Sequence, residues 1–76
     1  MTIKVYSTPT CPWCVKAKDY FKTKNLSFLD VDVASNHEAA REMVQKSGQR
    51  GVPVIEIDGN IVVGFDQMKI EKLLNI

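Results

Sequence analysis

Cys11 and Cys14 are the only two thiols in the chain. They stand three positions apart in Thr8-Pro9-Thr10-Cys11-Pro12-Trp13-Cys14, beside the only tryptophan. A thiolate attacks disulfides and also ligates metals, so this stretch admits dithiol redox exchange, half of a zinc site, or a structural disulfide. A structural zinc needs four ligands, and His37 is the only other soft candidate. A disulfide here would close a very small loop and so remove little unfolded-state entropy. Redox exchange carries most of the weight.

The elements that must hold the thiols follow from a change of hydrophobic period. Ile3-Lys4-Val5-Tyr6 alternates, which predicts a strand over Thr2 to Tyr6. After the cysteines, Ala17, Tyr20 and Phe21 recur at helical spacing. They predict a helix over Pro12 to Lys24, with Asn25 as a left-handed stop. Cys11 then lies at or just before the helix start, and Pro12 at the first helical position, where its missing N–H is no loss. A helix start offers unpaired N–H groups and a partial positive charge, which favour a thiolate over a thiol. Cys14 follows within the first turn, where it can close a disulfide with Cys11.

Ser27 to Val33 places Leu29, Val31 and Val33 on one face of a second strand and Asp30 and Asp32 on the other. Half-exposed alternation accounts for these carboxylates better than a metal, because nothing nearby completes an oxygen cage. Ser35 and Glu38 have capping-box spacing. They precede a helix with Ala40, Met43 and Val44 in one stripe and a stop at Gly48. His37 falls in its first turn, with no catalytic role expected. The loop Gln49-Arg50-Gly51-Val52-Pro53 leads to a strand over Val54 to Ile57, a turn at Asp58-Gly59 and a strand over Ile61 to Val63. Asp66 caps a last helix, with Phe65 and Ile70 at staple positions and Ile70, Leu73 and Leu74 as its buried stripe. The order β-α-β-α-β-β-α implies an α/β fold with one four-stranded mixed sheet and three helices.

The 76 residues suit one domain spanning positions 1–76; a chain this short buries only about 60–65% of its unfolded surface. An apolar share of 45% with 25% charged residues fits a globular chain. Ten basic and nine acidic residues leave a net charge of +1. That offers no field for nucleic acid or an anionic membrane. No apolar run approaches bilayer length, and Met1-Thr2-Ile3-Lys4 lacks the pattern of a signal peptide. Two cysteines at this spacing favour a reducing, cytoplasmic setting.

Three motifs in order, Cys-Pro-Trp-Cys after a first strand, Val52-Pro53 before a third and Gly64-Phe65-Asp66 before a last helix, resemble the glutaredoxins across essentially the whole chain. The resemblance implies the thioredoxin fold and glutathione-linked thiol–disulfide exchange. It makes Cys11 the attacking thiolate and Cys14 the resolving thiol, with Pro12 and Trp13 between them at the substrate site. It makes Pro53 the family's cis-proline, with Val52 offering backbone groups to the substrate. Lys4 and Arg50 would face the glycyl carboxylate of glutathione. The N–H groups near Gly64, Phe65 and Asp66 would hold its γ-glutamyl carboxylate. Three positions depart from the family pattern: Val63 replaces a glycine, Gly51 a threonine and Gln67 an aspartate.

The expected activity is reduction of protein disulfides and glutathione mixed disulfides. Glutathione would serve as co-substrate, with no tightly bound cofactor or metal and a monomeric chain. Gly64-Phe65 also resembles part of the signature of redoxins that take electrons from thioredoxin reductase and feed ribonucleotide reductase. That gives a second reading. A third, from a different class, is a dimeric carrier of an iron–sulfur cluster held by Cys11 and glutathione.

Overall fold

The computed structural model describes residues 1–76. Its elements are β1 (Ile3–Ser7), α1 (Pro12–Thr23), β2 (Leu29–Asp32), α2 (His37–Ser47), β3 (Val54–Ile57), β4 (Asn60–Val63) and α3 (Gln67–Leu74). The strands form one sheet in the order β2-β1-β3-β4. β1 runs parallel to β2 and antiparallel to β3, and β3 and β4 form an antiparallel hairpin. This is the thioredoxin fold, in the element order predicted from the sequence.

Strand periodicity divides the core between the two sheet faces. Ile3 and Val5 of β1, Ile55 and Ile57 of β3 and Val62 of β4 pack with Ala17 and Phe21 of α1 and Ile70 and Leu74 of α3. The opposite face is thinner: Tyr6, Val33, Met43 and Val54 form its buried cluster, with Ala40 and Val44 of α2 packed against them. Left-handed residues set several ends, Asn75 closing α3 at φ 62°. Asn25 follows α1 at φ 57°, Gly48 caps α2 at φ 74°, and Asp58 and Gly59 turn the hairpin at φ 48° and 86°. Two positive φ angles in a two-residue loop match the right-handed twist of the strands.

Two local expectations need correction. The cap of α2 is Asn36, not Ser35: its Oδ1 accepts from the Ala39 N–H at 3.0 Å. Asn36 has the extended backbone a cap needs, and asparagine caps at least as well as serine. β2 is also shorter than the alternation from Ser27 suggests. It is an edge strand paired only with β1, and Leu29 remains 59% exposed. An edge strand beside a thin layer buries its apolar side only where α2 covers it, at Val31 and, just past the strand, at Val33.

Candidate active site

Cys11 is the N-cap of α1, with Pro12 as the first helical residue. The Cys14 N–H donates to Cys11 Sγ at 3.1 Å. The cap position that serine or aspartate usually fills with oxygen is here filled with sulfur. Cys11 Sγ also lies 3.8 Å from the carbonyl oxygen of Val52. Both cysteines are free thiols.

The two thiols differ in surroundings. Cys11 is half-buried, while Cys14 is fully buried. Burial, and then the hydrogen bond with Cys11, push the Cys14 thiol up to about 11. A thiol kept in low dielectric holds its proton because the charged form loses hydration. The pair therefore presents one accessible sulfur with a donor aimed at it and one sealed sulfur behind.

Beside Cys11 is a cleft of about 280 Å³ lined by Trp13, Val52, Pro53, Gly64 and Phe65. Each part is placed by a different element. Trp13 is 57% exposed in the first turn of α1, and Lys16 Nζ lies 4.4 Å from its ring centroid. Pro12 is exposed beside it. The Val52–Pro53 peptide is cis, and the Pro53 carbonyl accepts from the Gly64 N–H at 2.8 Å. That bond extends the β3–β4 ladder by one step and brings the two loops together. Gly64 sits at φ +78°, a conformation costly for any residue with a Cβ, although open space surrounds the position. Phe65 packs edge-on against Tyr20 of α1 at 5.6 Å. Asp66 caps α3 by accepting from the Lys69 N–H at 3.2 Å, and its carboxylate is exposed.

The two cations named for glutathione do not line this cleft. Lys4 points to the α2 side of the sheet, where Nζ is 3.2 Å from Glu42 and 3.4 Å from the Tyr6 hydroxyl. Tyr6 OH donates to the same Glu42 oxygen. Lys46 bridges Glu42 at 3.1 Å and Glu56 at 2.8 Å. The hydrogen bond from Tyr6, then those from Lys46 and Lys4, hold the Glu42 carboxyl down to about 2. Lys4 is raised, chiefly by Glu42; Tyr6 is raised by burial and then by Glu42. Arg50 is exposed, and with Arg41 it edges a separate groove of about 500 Å³ floored by Val33, Ala40, Met43 and Val44. That groove shares no lining residue with the cleft beside Cys11.

A polar group beside the dithiol was not anticipated from the sequence. Ser7, buried at the end of β1, donates to Asp30 Oδ1 at 2.8 Å. Lys18 Nζ reaches Asp30 Oδ2 at 3.1 Å and Ser7 Oγ at 3.5 Å. The available signal was the spacing of Lys18, four residues after Cys14 on one helix face. No three His, Cys, Asp or Glu side chains gather as a metal site, and no helix is long and apolar enough to cross a membrane.

The glutaredoxin family model matches residues 3–62. The chain is 58% identical over 72 residues to an uncharacterized glutaredoxin-like 8.6 kDa protein in the rubredoxin operon of Clostridium pasteurianum, covering 95% of this chain and 96% of that one. It is 33% identical over 66 residues to glutaredoxin 3 of Escherichia coli, covering 87% and 80%. Among solved structures, a mutant of the thioredoxin-like protein BC3987 superposes with a TM-score of 0.92 at 35% identity, covering 99% and 96%. NrdH-redoxin of Escherichia coli, a glutaredoxin-like protein with a thioredoxin-like activity profile, superposes with 0.85 at 26% identity, covering 96% and 95%. The chain belongs to the glutaredoxin family, a family of thiol–disulfide oxidoreductases.

Proposed function

We propose that the protein reduces protein disulfides and glutathione mixed disulfides through Cys11 and Cys14, in the cytoplasm, with glutathione as the returning reductant. The observation that carries this reading is the asymmetry of the pair. Cys11 sits at a helix cap beside an open apolar cleft, and Cys14 is sealed one turn behind it.

The chemistry runs in two exchanges. The Cys11 thiolate attacks one sulfur of the substrate disulfide. The substrate S–S bond breaks, a Cys11–substrate bond forms, and the departing thiolate takes a proton from water. Cys14 then loses its proton and attacks Cys11 Sγ. The mixed disulfide breaks, the second substrate thiolate leaves, and a Cys11–Cys14 disulfide remains. Two electrons pass from the dithiol to the substrate. Two glutathione molecules restore the dithiol and leave as glutathione disulfide. A glutathione adduct on Cys11 can instead be cleared directly by a second glutathione.

In the bound state, Trp13 and Phe65 flank the incoming sulfur, Val52 offers backbone groups, and Pro53 and Gly64 floor the cleft. The backbone near Phe65 and Asp66, at the start of α3, suits a carboxylate. The test is trapping. Cys14→Ser protein incubated with a glutathionylated peptide should accumulate one mixed disulfide, on Cys11. An adduct on no cysteine, or turnover in Cys11→Ser protein, refutes the reading.

A second reading has one specific support. Lys4 is engaged by Glu42, Arg50 edges the α2 groove rather than the cleft, and Lys16, at the cleft's edge, stacks on Trp13. Together with the likeness to NrdH-redoxin, this favours thioredoxin reductase as electron source, with ribonucleotide reductase as the recipient. Reduction of the oxidised protein by glutathione and by thioredoxin reductase, measured side by side, separates the two.

A further inference from the structure

Cys14 presents a difficulty to the mechanism above. It must become a thiolate to resolve a mixed disulfide, yet it is fully buried and its thiol is pushed up to about 11. Thiolate, not thiol, is the attacking species, so something near Cys14 must ease the loss of its proton. The cluster of Lys18, Asp30 and Ser7 stands in the right place.

Lysines on helix surfaces ordinarily extend their ammonium into water. Lys16 and Lys22 of α1 are exposed. Lys18 instead turns inward, with its side chain only 20% exposed, 3.1 Å from Asp30 and 3.5 Å from the buried Ser7 hydroxyl. Ser7 ends β1, immediately before the loop that carries Cys11. Lys18 also follows Cys14 by four residues, so their side chains share one helix face. β1, β2 and α1 thus converge to hold one ammonium one turn below the buried sulfur.

We propose that Lys18 is a positioning residue for the second exchange: anchored by Asp30 and Ser7, its charge stabilises the Cys14 thiolate as that sulfur attacks the Cys11 mixed disulfide. The proposal rests on the dithiol reading above. The groups that act on Cys14 can be named from each packed element. From α1 they are Cys11, which opposes ionisation in the free dithiol but carries no charge once it is in the mixed disulfide, and Lys18, which favours it. From the end of β1 the Thr8 backbone hydrogen bond also favours the thiolate. From β2 Asp30 acts as the partner of Lys18. From α3, Asp66 is engaged with its own helix and Glu71 with Tyr20 and Gln67. The proton released by Cys14 passes to water. Lys18 takes no proton from Cys14 and gives none in this step.

Lys18→Gln removes the charge and keeps a donor for Ser7 and Asp30; Lys18→Arg keeps the charge. In a Cys11→Ser background, the Cβ carbon NMR shift of Cys14 reports its titration. A close opposite charge lowers an acid by about 1–3 pH units, and Lys18 acts on Cys14 from one helical turn away. Lys18→Gln should therefore raise the midpoint by about one pH unit, and Lys18→Arg should restore it. The kinetic test uses the intact dithiol with a chromogenic thiol preformed as a mixed disulfide on Cys11. A rise of one unit cuts the thiolate fraction about tenfold at pH 7, and the greater nucleophilicity of a more basic thiolate returns about threefold. Release of the chromophore should thus slow about threefold in Lys18→Gln and recover in Lys18→Arg. No release from the parent protein removes the resolving step, and the proposal with it. Release from the parent with midpoint and rate unmoved in Lys18→Gln overturns this proposal alone and leaves the dithiol mechanism standing.

Discussion

Two polar regions of the molecule treat their functional groups in opposite ways. On the α2 face, Glu42 accepts from Tyr6, Lys4 and Lys46, and Lys46 also reaches Glu56. The charges there answer one another across α2, β1 and β3, with Glu42 and Lys46 also paired one turn apart on α2 itself. At the Cys11 corner the sulfur receives one peptide N–H and faces a cleft of five residues, none of them charged. The first arrangement ties α2 to β1 and β3. The second leaves the Cys11 sulfur free to exchange partners, as the proposed reaction requires. Side-chain ion pairs beside Cys11 would have to be broken in each exchange, whereas a helix cap stays in place as the sulfur changes its covalent partner.

The largest effect that can test this contrast is on activity. Cys11→Ser should abolish turnover of a glutathionylated peptide, while Glu42→Gln should retain it. A coupled assay of glutathione disulfide formation compares the two. If Glu42→Gln is as dead as Cys11→Ser, the two regions are not separate in function. Next is Cys14→Ser, which should lose reduction of protein disulfides but keep turnover of glutathione mixed disulfides within several-fold, read with both substrates in one assay.

The contrast also shows what could be read from the sequence. The dithiol corner was legible because its parts are local: Pro12 marks the helix start, Asp66 a cap, and Asp58-Gly59 a turn, each by short-range backbone chemistry. The five cleft residues were all nominated from motifs. The charge network was not legible. Alternation puts Lys4 and Tyr6 on one face of β1, but their partner Glu42 lies on a separate helix, and only the packing of α2 decides which carboxylate they meet. Lys4 and Arg50 read from the sequence as ligand cations, but neither lines the cleft: Lys4 pairs with Glu42 and Arg50 edges the α2 groove. Lys18 was missed for the same reason, since Asp30 reaches it only through the parallel pairing of β1 and β2. Asn36 and Ser35 show a finer limit: adjacent good caps are separated by which backbone is extended, not by residue type.

Smaller effects fall on stability near the cleft. Gly64→Ala forces a Cβ into the left-handed region and should cost about 1–2 kcal/mol through backbone strain, with no steric clash to relieve. Asp66→Ala removes a cap and should cost about 1 kcal/mol. In a domain of this size, 1 kcal/mol corresponds to about 4–8 °C in Tm, so thermal denaturation followed by circular dichroism resolves both.

The smallest effect belongs to Glu42. Its carboxyl is held down to about 2, below the usual 4.5, by Tyr6 first and then the two lysines. A depressed acid stabilises the folded state above its unfolded value and loses that contribution as pH falls toward the folded one. The Tm of the native protein should exceed that of Glu42→Gln near neutral pH, and the gap should close between about 4.5 and 2. A gap independent of pH would mean that the carboxylate charge contributes nothing to the network.

The claim that the rest depends on is that the two thiols are unequal, one poised at the cleft and one sealed behind it. The most direct measurement is competitive alkylation of the fully reduced protein at pH 7 with limiting iodoacetamide, with the modified residue located by mass spectrometry. Cys11 should be modified in large excess over Cys14. Equal modification of the two, or preference for Cys14, would contradict it.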